Sequence, residues 1–395
     1  MFNRNSVTLG ILLMLVLSAF YSCQDQTDDF MQVQDANHYV SIEKAKDIAQ
    51  MLEVTAEAKT EGKERKVKEI RGVPDKNSQD AFYIINYEKG GFVIISADNR
   101  VEPILAYSED NEFPLDAEYF PSGLVGWLYD TKEKIETVRV ANETQSEEVA
   151  MVWDDCYVRS LMRLPNCPDD GPGGGGCENT YVTKGPLLST TWGQGCGYNG
   201  ALPTESDLGC DSGDLSCSHA FTGCVATAMG QVMNYHSSPS SYNWSSMTQW
   251  SSNIETLMED IGDAVDMDYD CDGSGADTED DVAPAFTNDF GYTSATYANY
   301  SHSTVKSQIN YSRPVILRGG REGGWWIFNI YRDGHAWVCD GYQSSYYCET
   351  GTSYLRLHMN WGWSGSFNGW FSFNNFNPGG FDFNYKRGMV YNIRP

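Results

Sequence analysis

The chain has 395 residues, 41% apolar, 13% aromatic and 21% charged, a globular composition with room for two domains. Its formal charge of −27 leaves no basic stripe to displace counterions from phosphates, which argues against a nucleic-acid partner. Acidity of that size favours solubility and says little about fold.

The N-terminus reads as a targeting segment. Arg4 precedes the apolar run VTLGILLMLVLSAF, too short to cross a bilayer as a helix but suited to a signal-peptide core. The following LSAFYSC, ending at Cys23, resembles a bacterial lipoprotein signal in which the cysteine is acylated after cleavage; an ordinary signal peptide with an incidental cysteine is the alternative. Residues 1–23 are therefore expected to direct export from a bacterial cytoplasm. The product would be a periplasmic or cell-surface lipoprotein, or be secreted after maturation, with membrane contact only through a lipid anchor. Export lets disulfides persist. Of eleven cysteines, Cys23 and Cys224 stand apart, and Cys339 lies in the apolar run HAWVCDGY as a candidate buried free thiol. The remaining Cys156, Cys167, Cys177, Cys196, Cys210, Cys217, Cys271 and Cys348 suffice for four bridges, whose connectivity spacing does not give. None shows the CxxC pairing of a zinc site.

Residues 24 to about 40 are polar and acidic, a tether. In SIEKAKDIAQMLEVTAEAK the spacing of Ile42, Ala45, Ile48, Ala49 and Leu52 predicts a helix. A lysine-rich stretch with turn residues, EGKERKVKEIRGVPDKNSQD, follows. AFYIINY and GFVIISAD, separated by EKG, predict a hairpin, EPILAYS a third strand, and SGLVGWLYDTKEKIETVRV a second helix. Residues 24–143 thus form a small α/β domain. QSEEVA and PNCPDDGPGGGGCENT read as an exposed connector over 144–183, where proteases cut most readily. An aromatic- and Gly-rich domain occupies 184–395.

The second domain holds TGCVATAMGQVMNYH. From Cys224, the residues Val225, Met229, Val232 and Met233 make one apolar helical stripe, with Gly223 permitting a sharp entry. Unpaired N–H groups and the helix dipole favour negative charge at a helix N-terminus, so a cysteine there gains thiolate character and becomes a nucleophile. A small buried cysteine opening a core helix is the bland alternative. Such a nucleophile needs a base, and six histidines compete. His38 lies in the first domain, His302 in a polar loop, His236 at the far end of the Cys224 helix, and His219 in a loop without rigid support. His335 opens the strand-like HAWVCDGY, where a satisfied structural histidine is equally at home. His358, alternating with Leu357 and Met359, is a rival base.

GCVATAMGQVMNYH, DGHAWVCDGY and NWGWSGSFNGWF, with GPLLSTTWGQ upstream, resemble the streptopain-like family of papain-fold cysteine peptidases. GGFVIISADNRVEPILAYS resembles that family's inhibitory propeptide, so the likeness covers roughly residues 40–140 and 184–395. It implies an α+β fold: a papain-like domain, its nucleophile helix packed on an antiparallel sheet, preceded by a small α/β propeptide domain. Position by position, it implies Cys224 as nucleophile, His335 as base, Asn360 and Trp361 as the residues that orient and shield the imidazole, and Gln194 as oxyanion-hole donor beside the Cys224 N–H. His358 then becomes a strand-face residue. Asp333 stands where a second small residue is expected before the histidine. Cys196, Cys210 and Cys217 border the expected site, where a disulfide would pin the loop and a free thiol would compete with Cys224.

DYDCDGSGADTE, from Asp268 to Glu279, satisfies the calcium-loop pattern, but Gly275 replaces its usual aliphatic residue and no helix pair flanks it. An ordinary loop is the preferred reading, with no metal or other cofactor. The resulting expectation is a secreted cysteine endopeptidase made as a zymogen, its own propeptide the intramolecular inhibitor and its substrates proteins or peptides. Maturation would cleave within 144–183. The rivals are an inactive surface lipoprotein binding glycans or proteins, and an amidase on cell-wall peptides.

Overall fold

The hairpin runs are apolar on both faces, and the fold explains why. A computed structural model describes residues 38–52, 66–117, 120–153, 179–319, 335–348, 351–373 and 388–395. Helix α1 (Ile42–Met51) starts where Ser41 Oγ accepts the Lys44 N–H. It covers one side of strands β1 (Val67–Pro74), β2 (Asp80–Tyr87), β3 (Phe92–Ser96) and β4 (Ile104–Ser108). Tyr83, Ile85, Val93 and Ile95 pack with Ala45, Ile48 and Ala49 of α1. Their alternates Phe82, Ile84, Phe92 and Ile94 pack on the other face with Leu124, Trp127, Leu128 and Ile135 of helix α2 (Ser122–Val140). Side chains alternate across a strand, so a sheet sandwiched between helices needs apolar residues at nearly every position.

Helix α3 (Glu147–Val152) and strand β5 (Thr180–Lys184) form at the two ends of the connector region, and residues 154–178 lie outside those described. Next come α4 (Cys224–His236), α5 (Ser252–Ala264), the short hairpin β6 (Asp268–Asp270) and β7 (Gly273–Gly275), β8 (Ser294–Asn299) and α6 (His302–Asn310). Strands β9 (Val315–Gly319), β10 (His335–Tyr347), β11 (Thr352–Asn360), β12 (Gly369–Ser372) and β13 (Gly388–Arg394) complete the described chain.

One antiparallel sheet runs through both halves in the order β1-β2-β3-β4-β12-β11-β10-β9-β13-β8, with β5 paired to the far half of β10. The joint is β4 against β12, where Tyr107 faces Trp370 and Ala106 faces Phe371. A single apolar cluster spans the joint, from Phe113, Phe120 and Trp127 to Trp337, Trp361, Phe367 and Phe371. Arg356 and Glu102 form an ion pair across it at 3.7 Å, each at most 4% exposed. Arg356 also donates to Ile104 O at 3.0 Å, and Trp127 Nε1 donates to Ser372 O at 2.9 Å. Among the described residues no helix is long and apolar enough to cross a membrane.

Candidate active site

The sequence makes α4 begin abruptly. Gly223 precedes it at φ +79°, a conformation costly for any side chain but glycine's, and a Cβ there would lie 2.8 Å from Met267 Sδ. Cys224 therefore takes the first helical position. Every residue from Val225 to Met233 is buried, against β10 on one side and α5 on the other. The apolar stripe expected from spacing is present but widened to the whole helix surface.

The register of the sheet brings the histidine motif to the sulfur. Val338 of β10 pairs with Asn360 of β11, so His335 lies beyond the last pair and faces the exit of β11. The Ala336 N–H donates to Cys224 Sγ at 3.3 Å, across 112 residues of sequence. His335 is buried, and its Nε2 donates to the Trp361 carbonyl at 3.0 Å. Its ring stacks 6.0 Å from Trp337, which lies 5.1 Å from the fully buried Trp361. Among the described residues no hydrogen bond joins the His335 ring to Cys224 Sγ. Trp361 thus meets the imidazole through its carbonyl, while its own Nε1 donates to Phe367 O at 3.1 Å.

Asn360 ends β11 with its carboxamide turned to other partners. Its Nδ2 donates to Thr190 O at 2.8 Å and to Gln231 Oε1 at 3.1 Å. Gln194 lies half-buried in the loop before α4, its carbonyl accepting the Thr222 N–H at 2.9 Å. Two disulfides pin this surround: Cys196–Cys217 and Cys210–Cys271. The first removes the two thiols nearest the loop from competition with Cys224, and the second ties that loop to the β6–β7 hairpin. Cys348 is also disulfide-bonded, whereas Cys224 and Cys339 are free, Cys339 buried as expected.

Burial dominates the electrostatics. It pushes the Cys224 thiol up, against the opposing pull of the Ala336, Val225 and Cys224 N–H groups. It pushes His335 down to about 4, although the Trp361 carbonyl favours its charged form. At neutral pH both groups are uncharged in this arrangement, and a neutral thiol is a poor nucleophile.

The other histidines have partners elsewhere. His358 Nδ1 bonds Asp340 Oδ1 at 2.6 Å, and Asp340 Oδ2 accepts the Leu188 N–H at 2.9 Å, so the rival base braces the segment entering the second domain. His236 Nδ1 bonds the Tyr292 hydroxyl at 3.3 Å, His219 Nδ1 meets Cys217 O, and His38 Nδ1 meets Asn99 Oδ1. His302 opens α6. Asp268 to Glu279 holds the β6–β7 hairpin and the Cys271 bridge, with Asp277 and Glu279 turned to Arg318 at 3.5 and 3.2 Å. Among the described residues no group of three or more His, Cys, Asp or Glu side chains is placed to hold a metal. Asp333, Cys23, Cys156, Cys167 and Cys177 lie outside the described residues.

Comparison with known proteins adds a family to this geometry. The Peptidase C10 family matches residues 192–255 and 238–371, and the Spi protease inhibitor family matches residues 37–135. Residues 192–371 belong to the Peptidase C10 family, the streptopain family. The chain is a cysteine peptidase preceded by an inhibitor-type domain. Streptopain of Streptococcus pyogenes is 26% identical over 371 residues, covering 79% of this chain and 80% of that protein. The thiol protease/hemagglutinin PrtT of Porphyromonas gingivalis is 27% identical over 345 residues, 75% of this chain and 34% of that protein. A prointerpain A fragment of Prevotella intermedia superposes with a TM-score of 0.55 at 25% identity, covering 84% of this chain and 99% of the fragment.

In this C10 chain the inhibitor-type domain reaches the site through α2. A Cβ on Gly123 would lie 2.6 Å from the Trp337 ring and 3.0 Å from that of Trp361. The two aromatic rings beside His335 are thus packed against the first turn of α2. Motif reading missed Gln231, Thr190 and Asp340, which hold the site's backbone in place. A polar residue inside an otherwise buried helix was the available signal for Gln231.

Proposed function

We propose that the chain is the self-inhibited precursor of a secreted, lipid-anchored cysteine endopeptidase, with residues 24–143 as inhibitory propeptide and 184–395 as the enzyme. Cleavage within 144–183 cuts the chain between the two. Cys224 is the nucleophile, His335 its base, and Gln194 with the Cys224 N–H the oxyanion donors. The observation that carries the reading is the Ala336 N–H to Cys224 Sγ bond, which leaves the imidazole one residue from the sulfur at a helix N-terminus.

In the active state His335 takes the Cys224 proton. The thiolate attacks the substrate carbonyl, and the negative oxygen is held by the Gln194 carboxamide and the Cys224 N–H. The C–N bond breaks as His335 protonates the leaving amine, and water, deprotonated by the same imidazole, hydrolyses the thioester. Asn360 orients the ring by accepting its second N–H, and Trp361 keeps water from that bond. The latent state differs in one respect: the imidazole is spent on the Trp361 carbonyl, with both reacting groups neutral. Contact of Gly123 with Trp337 and Trp361 gives the propeptide a way to hold that state.

The test is the full-length Cys224→Ala precursor beside wild type under reducing conditions, followed by intact mass. Wild type shortens by a cut in 144–183, and Cys224→Ala stays full length. Equal processing of both pure proteins would contradict self-maturation. A chain that only binds glycans or proteins would neither shorten nor take an iodoacetamide label at Cys224.

A further inference from the structure

We infer that Gln231 is a positioning residue of this site, holding Asn360 in the orientation that His335 requires; the inference rests on the catalytic roles proposed above. Gln231 sits seven residues after Cys224 on α4, about 10 Å along the helix axis at the standard rise per residue. Its side chain is fully buried, so each polar atom needs a partner. Oε1 accepts from Thr190 Oγ1 at 3.0 Å, from Trp192 N–H at 3.2 Å and from Asn360 Nδ2 at 3.1 Å. Nε2 donates to Asn360 Oδ1 at 3.3 Å.

Two main-chain groups remove the ambiguity of the amides. The Trp192 N–H can only donate, so Gln231 must present its oxygen there. The Thr190 carbonyl can only accept, and it lies 2.8 Å from Asn360 Nδ2. The two carboxamides are locked face to face, and Asn360 Oδ1 is left on the side of Gly362 N, 3.3 Å away. The Gly362 N–H bond is long, so it can give way to a shorter bond from an imidazole N–H while Gln231 keeps its hold. The same amide joins α4, the end of β11 and the segment leading to Gln194. These are the three elements that carry the proposed nucleophile, orienting residue and oxyanion donor.

A structural brace and a positioning residue predict different kinetics. The test uses the full chain, matured with a trace of immobilised wild-type enzyme, in four forms: wild type, Gln231→Leu, Asn360→Ala and the double variant. Gln231→Leu should lower kcat on the order of tenfold to a hundredfold with KM nearly unchanged, the scale of a misplaced catalytic group. In the Asn360→Ala background the same change should cost nothing further, because the effect passes through Asn360. Additive losses, or a Gln231→Leu enzyme with wild-type kcat while Asn360→Ala is impaired, would overturn the inference alone. Wild-type kcat for Asn360→Ala would overturn the underlying assignment instead. Should Gln231→Leu fail to fold, Gln231→Glu gives a second reading. Its neutral carboxyl can donate to Asn360 Oδ1 and its ionised form cannot, so its kcat should fall relative to wild type as pH rises. A kcat–pH profile parallel to wild type would overturn the inference.

Discussion

His335 is neutral where it lies, whereas the proposed mechanism needs it charged. Burial holds its pKa at about 4, below the 6.5 of an exposed imidazole. Above pH 6.5 it is neutral folded and unfolded, and contributes no pH dependence. Between 6.5 and 4 the unfolded chain binds a proton that the folded chain does not, so stability falls as pH drops through that window. The full shift corresponds to about 3 kcal/mol at 1.36 kcal/mol per unit. His236, also lowered to about 4 by burial, acts in the same window, whereas Lys134, lowered to about 7, acts only above neutrality. Urea midpoints of the Cys224→Ala precursor at pH 7.5 and 5 should therefore move closer together when His335→Gln is added, and by a separate increment with His236→Asn. An unchanged gap after His335→Gln would mean that the imidazole is not held neutral. Residue identity alone could not rank His335 above His358, since both sit on strand-like runs. What separates them is Asp340, 18 positions from His358, which takes the latter's Nδ1.

At the level of elements, α2 turns one face to the inhibitor-type sheet and its first turn to the tryptophans beside His335. Gly123 and Gly126 lie one turn apart on it, yet only Gly123 is closed in: a Cβ at Gly126 meets nothing within 4 Å. Gly123→Leu should overpack the Trp337–Trp361 contact at a cost of about 1–3 kcal/mol, and so speed iodoacetamide labelling of Cys224 in the precursor. Gly126→Leu should leave the labelling rate alone. Equal rates for the two variants would remove α2 from the latent state. Helices α1, α2 and α4 were readable from the spacing of their apolar residues, and β2, β3 and β4 from apolar runs bounded by turn residues, whereas α5 and α6 were not foreseen. Nor was β1: VKEIRGVP ends the sheet among the described strands and is mostly half-buried, and its Lys68, Glu69 and Arg71 look like loop residues although they bond Glu112, Asn86 and Asp116. α3 and β5 were hidden by the Pro, Gly and acidic residues between them.

The whole molecule is held by a joint that local sequence patterns do not reveal. β4 and β12 are 260 or more residues apart, and their pairing makes one sheet and one apolar cluster out of two sequence domains. Across it, the buried Arg356–Glu102 pair is worth little net but costly to break, about 3–5 kcal/mol when one partner is removed. A cut in 144–183 severs the chain without undoing that joint, so the account expects the propeptide to remain seated until it is itself degraded or displaced. The motifs made Cys224, His335 and Asn360 legible as candidates. The carbonyl that occupies the imidazole and the glutamine that locks Asn360 were not, because each depends on main-chain positions set by the sheet register. The most direct test of the central claim, that Cys224 works as a pair with His335, is the rate of iodoacetamide alkylation of the matured enzyme against pH. Wild type should react at Cys224 well below the ~8.5 of an ordinary thiol, and His335→Ala only as pH approaches that value. Superimposable profiles for the two enzymes would contradict the pairing.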